Sequence, residues 1–160
     1  MSAAVPASPS RAVPARIAVV ASRFNENVTR RLLTGSEQCL RERGIPPEQV
    51  DVRWVAGAWE LPVLARGFLE RGGYRVVVAL GAVIRGETAH FEIIAGESAR
   101  GLMALSIEYG VPVGFGVLTC EDLAQALARS GGAAGNKGYE ATAAALDAAA
   151  VLPGRDGDPD

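Results

Sequence analysis

An α/β fold, with a parallel sheet covered by helices on both faces, is what the sequence predicts. Four short apolar runs, residues 16–21 (RIAVVA), 51–55 (DVRWV), 76–84 (VVVALGAVI) and 113–119 (VGFGVLT), alternate with longer stretches of helical periodicity. The third run is continuous and rich in Val rather than alternating, the pattern of a strand buried on both faces. Polar residues crowd together where these runs end, and in open parallel sheets ligands bind at the carboxyl ends of the strands.

Each element has its own signal. After the first strand comes Ser22-Arg23-Phe24-Asn25-Glu26-Asn27, then a helix with Val28, Leu32, Cys39 and Leu40 on one side and Gly44 as its C′ residue. The second strand leads into Ala56-Gly57-Ala58-Trp59-Glu60-Leu61-Pro62, where Pro62 suits a first helical turn. That helix buries Leu61, Leu64, Ala65 and Phe68 and stops at Gly72-Gly73. The third strand ends in Arg85-Gly86-Glu87-Thr88, and Phe91, Ile94, Ala95, Ala99 and Leu102 then recur at helical spacing to Tyr109, before Gly110. After the fourth strand, residues 121–130 form a short helix with Arg129 in its last turn. A glycine-rich break at 131–135 follows, and an Ala-rich helix restarts at Asn136-Lys137-Gly138.

Composition narrows the function. A chain of 160 residues that is 49% hydrophobic, with a formal charge of −2, reads as one globular domain rather than a nucleic-acid or membrane-surface binder. No apolar run is long enough to cross a bilayer. Cys39 and Cys120 are isolated thiols without metal-ligand spacing, which points to a reducing, cytoplasmic setting and away from a zinc site. Residues 1–15 read as a flexible N-terminal arm, 16–152 as the domain and 153–160 as a disordered tail. No Walker-type loop, dinucleotide fingerprint or G-x-S-x-G elbow occurs.

The single histidine, His90, lies in the first turn of the third helix, where unpaired amides and the helix dipole favour an anion. A phosphate-bearing ligand beside His90 is the reading these residues support. Phe24 is either a core plug or a ring for stacking on a planar ligand. Glu60 either complements a helix dipole or accepts hydrogen bonds from a ligand. Phe115, inside the fourth strand, reads as core. Arg129 and Lys137, flanking the glycine-rich break, either hold an anion or border a solvated kink.

Five segments carry a resemblance: Arg23-Phe24-Asn25, Gly57-Ala58-Trp59-Glu60-Leu61-Pro62, GAVIRGETAHF at 81–91, PVGFGVLT at 112–119 and AGNKG at 134–138. In this order and spacing, over about residues 17–152, the chain closely resembles the 6,7-dimethyl-8-ribityllumazine synthase family. The resemblance implies a flavodoxin-like three-layer αβα sandwich with a four-stranded parallel sheet. It implies a transferase acting at the penultimate step of riboflavin biosynthesis. That reaction condenses 5-amino-6-ribitylaminouracil with 3,4-dihydroxy-2-butanone 4-phosphate, releasing phosphate and water, with no metal or organic cofactor.

By the same resemblance Phe24 stacks on the pyrimidine, and Ala58, Trp59 and Glu60, with Asn25 nearby, hold the ribityl chain and pyrimidine edge. Val83 and Ile84 line the pocket; Gly86, Glu87 and Thr88 meet the phosphate; His90 transfers protons. Phe115, Arg129 and Lys137 are implied to arrive from a neighbouring subunit of a homopentamer, which in some members stacks into decamers or builds sixty-subunit shells. Ala128 stands where many members carry an acidic residue, Ala133 where a lysine is frequent, and Trp59 where phenylalanine is commoner. The alternatives are a non-catalytic flavin- or lumazine-binding or shell-forming member of the same fold, and a generic binder of a flavin nucleotide.

Overall fold

The computed structural model describes residues 15–153, so apart from Ala15 and Pro153 the expected arm and tail lie outside the described residues. In chain order the elements are β1 (Arg16–Ser22), α1 (Glu26–Glu42), β2 (Val50–Val55), α2 (Leu61–Arg71), β3 (Tyr74–Ile84) and α3 (His90–Tyr109). Next come β4 (Val113–Cys120), α4 (Leu123–Ala128), β5 (Ser130–Gly132), β6 (Gly135–Asn136) and α5 (Lys137–Val151). The main sheet runs β2-β1-β3-β4 with every neighbouring pair parallel.

The two inner strands explain the continuous apolar runs. Along β3, Val76, Val78 and Leu80 join Ile17, Val28, Leu32 and Leu146 under α1 and α5. The alternate residues Val77, Ala79 and Val83 join Ala18, Val20, Leu61, Phe68 and Leu102 under α2 and α3. Each side chain points to one face, and both faces are covered. Complete burial of a Val or Leu stabilises by about 1.5–3 kcal/mol, so β1 and β3 contribute strongly to the stability of this sandwich.

Topology then makes the crevice. From β1 the chain moves to its outer neighbour β2, then crosses back over β1 to β3 and onward to β4. Because α1 packs on one face and α3 on the other, the segments leaving β1 and β3 diverge. That divergence opens a space beyond the carboxyl ends of the strands, at the topological switch point.

The region after β4 departs from the sequence expectation. The helix expected over 121–130 is the shorter α4, capped by Asp122, whose Oδ1 accepts from the Gln125 amide at 2.8 Å. The glycine-rich break is a two-stranded antiparallel hairpin, β5–β6, with Gly131 and Gly135 at φ values of 106° and 79°. Those positive angles strongly favour glycine, so the glycines build a turn rather than a loose kink.

Helix α5 is pressed directly against α1. The Asn136 Oδ1 caps α5 by accepting from the amides of Gly138 (2.9 Å) and Tyr139 (3.2 Å), and its Nδ2 donates to the Arg31 carbonyl at 2.9 Å. A Cβ at Gly138 would sit 2.0 Å from the Leu32 carbonyl oxygen, so only glycine permits this approach. Deeper in the contact, the Thr142 hydroxyl donates to the Gly138 carbonyl at 2.7 Å and lies 2.7 Å from the Ser36 hydroxyl. A hydroxyl has one proton, so Ser36 is the donor to Thr142.

Candidate active site

The crevice at the switch point is a cleft of about 800 Å³. The segment after β1 contributes Phe24; the short 3₁₀ turn Ala58–Glu60 contributes Ala58, Trp59 and Glu60. The end of β3 and the turn after it contribute Val83, Ile84, Gly86, Thr88 and His90. Nine residues expected at the site from sequence thus line one cleft.

Two aromatic rings stand at its mouth. Phe24 is 72% exposed and Trp59 55%, so neither is a core plug. That removes the core-plug reading of Phe24. An exposed ring held on a short loop is a surface onto which a planar ligand can stack.

Glu60 serves the fold and also borders the cleft. Its Oε2 accepts from the Gly57 amide at 3.0 Å and closes the 3₁₀ turn. Asn25 is a structural residue. It adopts a left-handed backbone (φ 59°), precedes α1, and donates from Nδ2 to the Ala82 carbonyl at 3.0 Å. It does not line the cleft; it ties the Phe24 loop to the end of β3.

The turn between β3 and α3 is an anion cradle in form. The amides of residues 86–89 make no hydrogen bond with another described residue, while the His90 amide is held at 3.4 Å by the Thr88 hydroxyl. Free amides beside a helix N-terminus favour negative charge. Glu87 is exposed and does not line the cleft, so its contribution to the turn is backbone.

Three further expected residues are not brought to this cleft. Arg129 follows α4 and donates from Nη1 to the Gln125 carbonyl at 3.1 Å. Lys137 opens α5, with Nζ 2.5 Å from Glu140 Oε2. The hairpin brings their backbones together, the Lys137 amide donating to the Arg129 carbonyl at 2.8 Å. Phe115, expected in the core, is 46% exposed on the edge strand β4 and borders a separate groove beside Ile107 and Pro112.

Sequence reasoning missed part of the wall. Phe91, Ile93 and Ile94 also line the cleft. Phe91 and Ile94 were legible only as the buried stripe of α3. Both are only partly buried against the core beneath α2 and α3, which leaves them exposed to the cleft as well. Burial raises the pKa of both cysteine thiols, and neither Cys39 nor Cys120 lines the cleft as a nucleophile. Among the described residues no cluster of His, Cys, Asp and Glu could hold a metal ion, and no helix is long and apolar enough to cross a membrane.

A doubly wound α/β chain with stacking rings, one imidazole and an amide-rich turn at its switch point is of the class that handles planar and anionic small molecules. The family model described as 6,7-dimethyl-8-ribityllumazine synthase matches residues 14–153. A 6,7-dimethyl-8-ribityllumazine synthase of Gemmatimonas aurantiaca is 52% identical over 149 residues, covering 91% of each chain. The chain belongs to the 6,7-dimethyl-8-ribityllumazine synthase family, transferases of riboflavin biosynthesis.

Proposed function

We propose that this protein condenses 5-amino-6-ribitylaminouracil with 3,4-dihydroxy-2-butanone 4-phosphate to give 6,7-dimethyl-8-ribityllumazine. The observation that carries the reading is the juxtaposition, in one cleft, of the Phe24 ring, the His90 imidazole and the free amides before α3. The pyrimidine stacks on Phe24, with its polar edge and ribityl chain toward Ala58, Trp59 and Glu60. The phosphate of the ketone lies on the amides of Gly86 and Thr88, next to His90.

The reaction then needs three events. The amine adds to the ketone and loses water to form an imine, phosphate leaves by elimination, and the ring closes with loss of a second water. Each event moves protons near neutral pH, which suits an imidazole beside both reactants. The protein supplies orientation and proton transfer, and the substrates carry the remaining chemistry.

The cleft of one chain holds no strong cation for a phosphate dianion, because Arg129 and Lys137 lie beside the hairpin. We place those two, with Phe115, in the cleft of an adjacent subunit, so that the working unit is a homopentamer or a multiple of it. Mixing the two substrates with the protein and following lumazine fluorescence tests the assignment. The expected result is lumazine and inorganic phosphate in equal amounts. Binding of added lumazine without its formation would identify a binding protein instead.

A further inference from the structure

Arg85 is the cation nearest the phosphate turn in sequence, yet it does not line the cleft, whereas Ile84, Gly86 and Phe91 do. Its guanidinium is engaged on three sides. Nη1 donates to Glu92 Oε1, Nε donates to Glu121 Oε2 at 2.8 Å, and the guanidinium carbon lies 4.5 Å from the centre of the Phe91 ring. Its amide donates to the Cys120 carbonyl at 2.8 Å.

These contacts span the turn. Arg85 immediately precedes it, and Phe91 and Glu92 immediately follow His90. Between them, the amides of residues 86–89 donate no hydrogen bond to another described residue, so little else fixes them. Isolated exposed ion pairs contribute little, but a forked arginine shared by two carboxylates and stacked on a ring restricts geometry more strongly.

From these contacts, and resting on the phosphate assignment above, we infer that Arg85 is a positioning residue. It staples the first turn of α3 back onto β3 and β4, which orders the amides that receive the substrate's phosphate. It is not itself a phosphate ligand. The network also reaches toward Arg129: the Glu121 amide donates to Gln125 Oε1 at 2.8 Å, and the Gln125 carbonyl accepts from Arg129. Glu121 therefore touches both the turn this subunit uses and the element carrying the cation assigned to its neighbour.

Charge alone predicts the opposite of the staple, which makes the test discriminating. Neutralising a carboxylate near a bound phosphate should tighten phosphate binding on electrostatic grounds. The staple requires that Glu121→Gln loosen it. With Arg85→Met, Arg85→Lys and Glu121→Gln, amide hydrogen exchange over residues 93–96, the first hydrogen-bonded amides of α3, should speed up about 10-fold, with exchange in β3 and α5 unchanged.

In turnover, KM for the phosphorylated ketone should rise about 3–10-fold in each variant while KM for the pyrimidine stays put. Adding Glu121→Gln to Arg85→Met should change nothing further. Unaltered exchange in the first hydrogen-bonded turn of α3, tighter use of the ketone by Glu121→Gln, or full rescue by Arg85→Lys would each overturn the inference. The exchange measurement is independent of turnover. A wild-type chain that forms no lumazine would therefore refute the proposed reaction while leaving the staple to be decided by exchange.

Discussion

His90 is an exposed side chain on the first turn of a long helix, its amide held by Thr88 and its ring facing an apolar cleft. A residue placed to move protons rather than to bind should affect kcat more than KM. His90→Ala is expected to lower kcat by about 10²–10⁴-fold, with the residual rate coming from proximity of the two bound reactants. Full turnover by the variant at saturating substrates would remove His90 from the chemistry. At the opposite end of the sheet, Asp51 Oδ2 accepts from Arg16 Nε and from the Tyr74 hydroxyl, each at 2.7 Å. The Arg16 bond, then the Tyr74 bond, hold its pKa down to about 2. The folded value is below the ordinary ~3.9, so the contribution is complete above about pH 4 and fades as the pH falls toward 2. Asp51→Asn should therefore melt at a lower temperature at pH 7, with the gap from wild type narrowing between pH 4 and 2. A constant gap across that range would show that the carboxylate charge contributes nothing.

At the scale of elements, the contact between α1 and α5 is the most constrained. Helix propensity alone favours Ala over Gly by about 1 kcal/mol, so Gly138→Ala would be stabilising if only local preference counted. The 2.0 Å approach to the Leu32 carbonyl decides otherwise. Gly138→Ala should destabilise by about 3 kcal/mol, at the upper end for overpacking, because backbone rather than a side-chain tip must move. Urea denaturation gives the sign directly, and a raised midpoint would contradict the contact. Sequence patterns captured the elements that bury apolar runs, because β1 and β3 are covered on both faces and α1 and α2 carry clear apolar stripes. They failed where structure is made without such patterns. Strands of three and two residues built around glycines have no period, so β5–β6 read as a break. Phe115 read as core because nothing in an apolar strand run marks a position that the covering helices leave open. The staple was invisible because Arg85 and Glu121 lie 36 residues apart and meet only after β3 and β4 pair. By contrast, the loops after β1 and β3 were legible as a ligand site from the winding, whereas Ala58, Val83 and Ile84 were named only through the family resemblance.

For the whole molecule, one chain contains half of what the proposed reaction requires. Its cleft has the rings, the imidazole and the amides, while Arg129, Lys137 and Phe115 lie elsewhere on the same chain. Ile107 and Met103 on α3 are also 75% and 62% exposed, apolar side chains that a neighbouring subunit could cover. In a closed ring with heterologous contacts, each subunit would complete its neighbour's cleft and have its own completed in turn. Hybrid assemblies test this directly. A chain carrying His90→Ala and a chain carrying Arg129→Ala should each be impaired alone, the second mainly in its use of the phosphorylated ketone. If the two are unfolded, mixed in equal amounts and reassembled at random, a cleft is intact when its imidazole comes from one parent and its guanidinium from the other. Each condition holds for one subunit in two, so about a quarter of wild-type activity should return, from two parents that each have little. A site completed within single chains would give no recovery at any mixing ratio. Mass measurement of the same samples would show whether the recovered activity resides in the ring or in a larger assembly of rings.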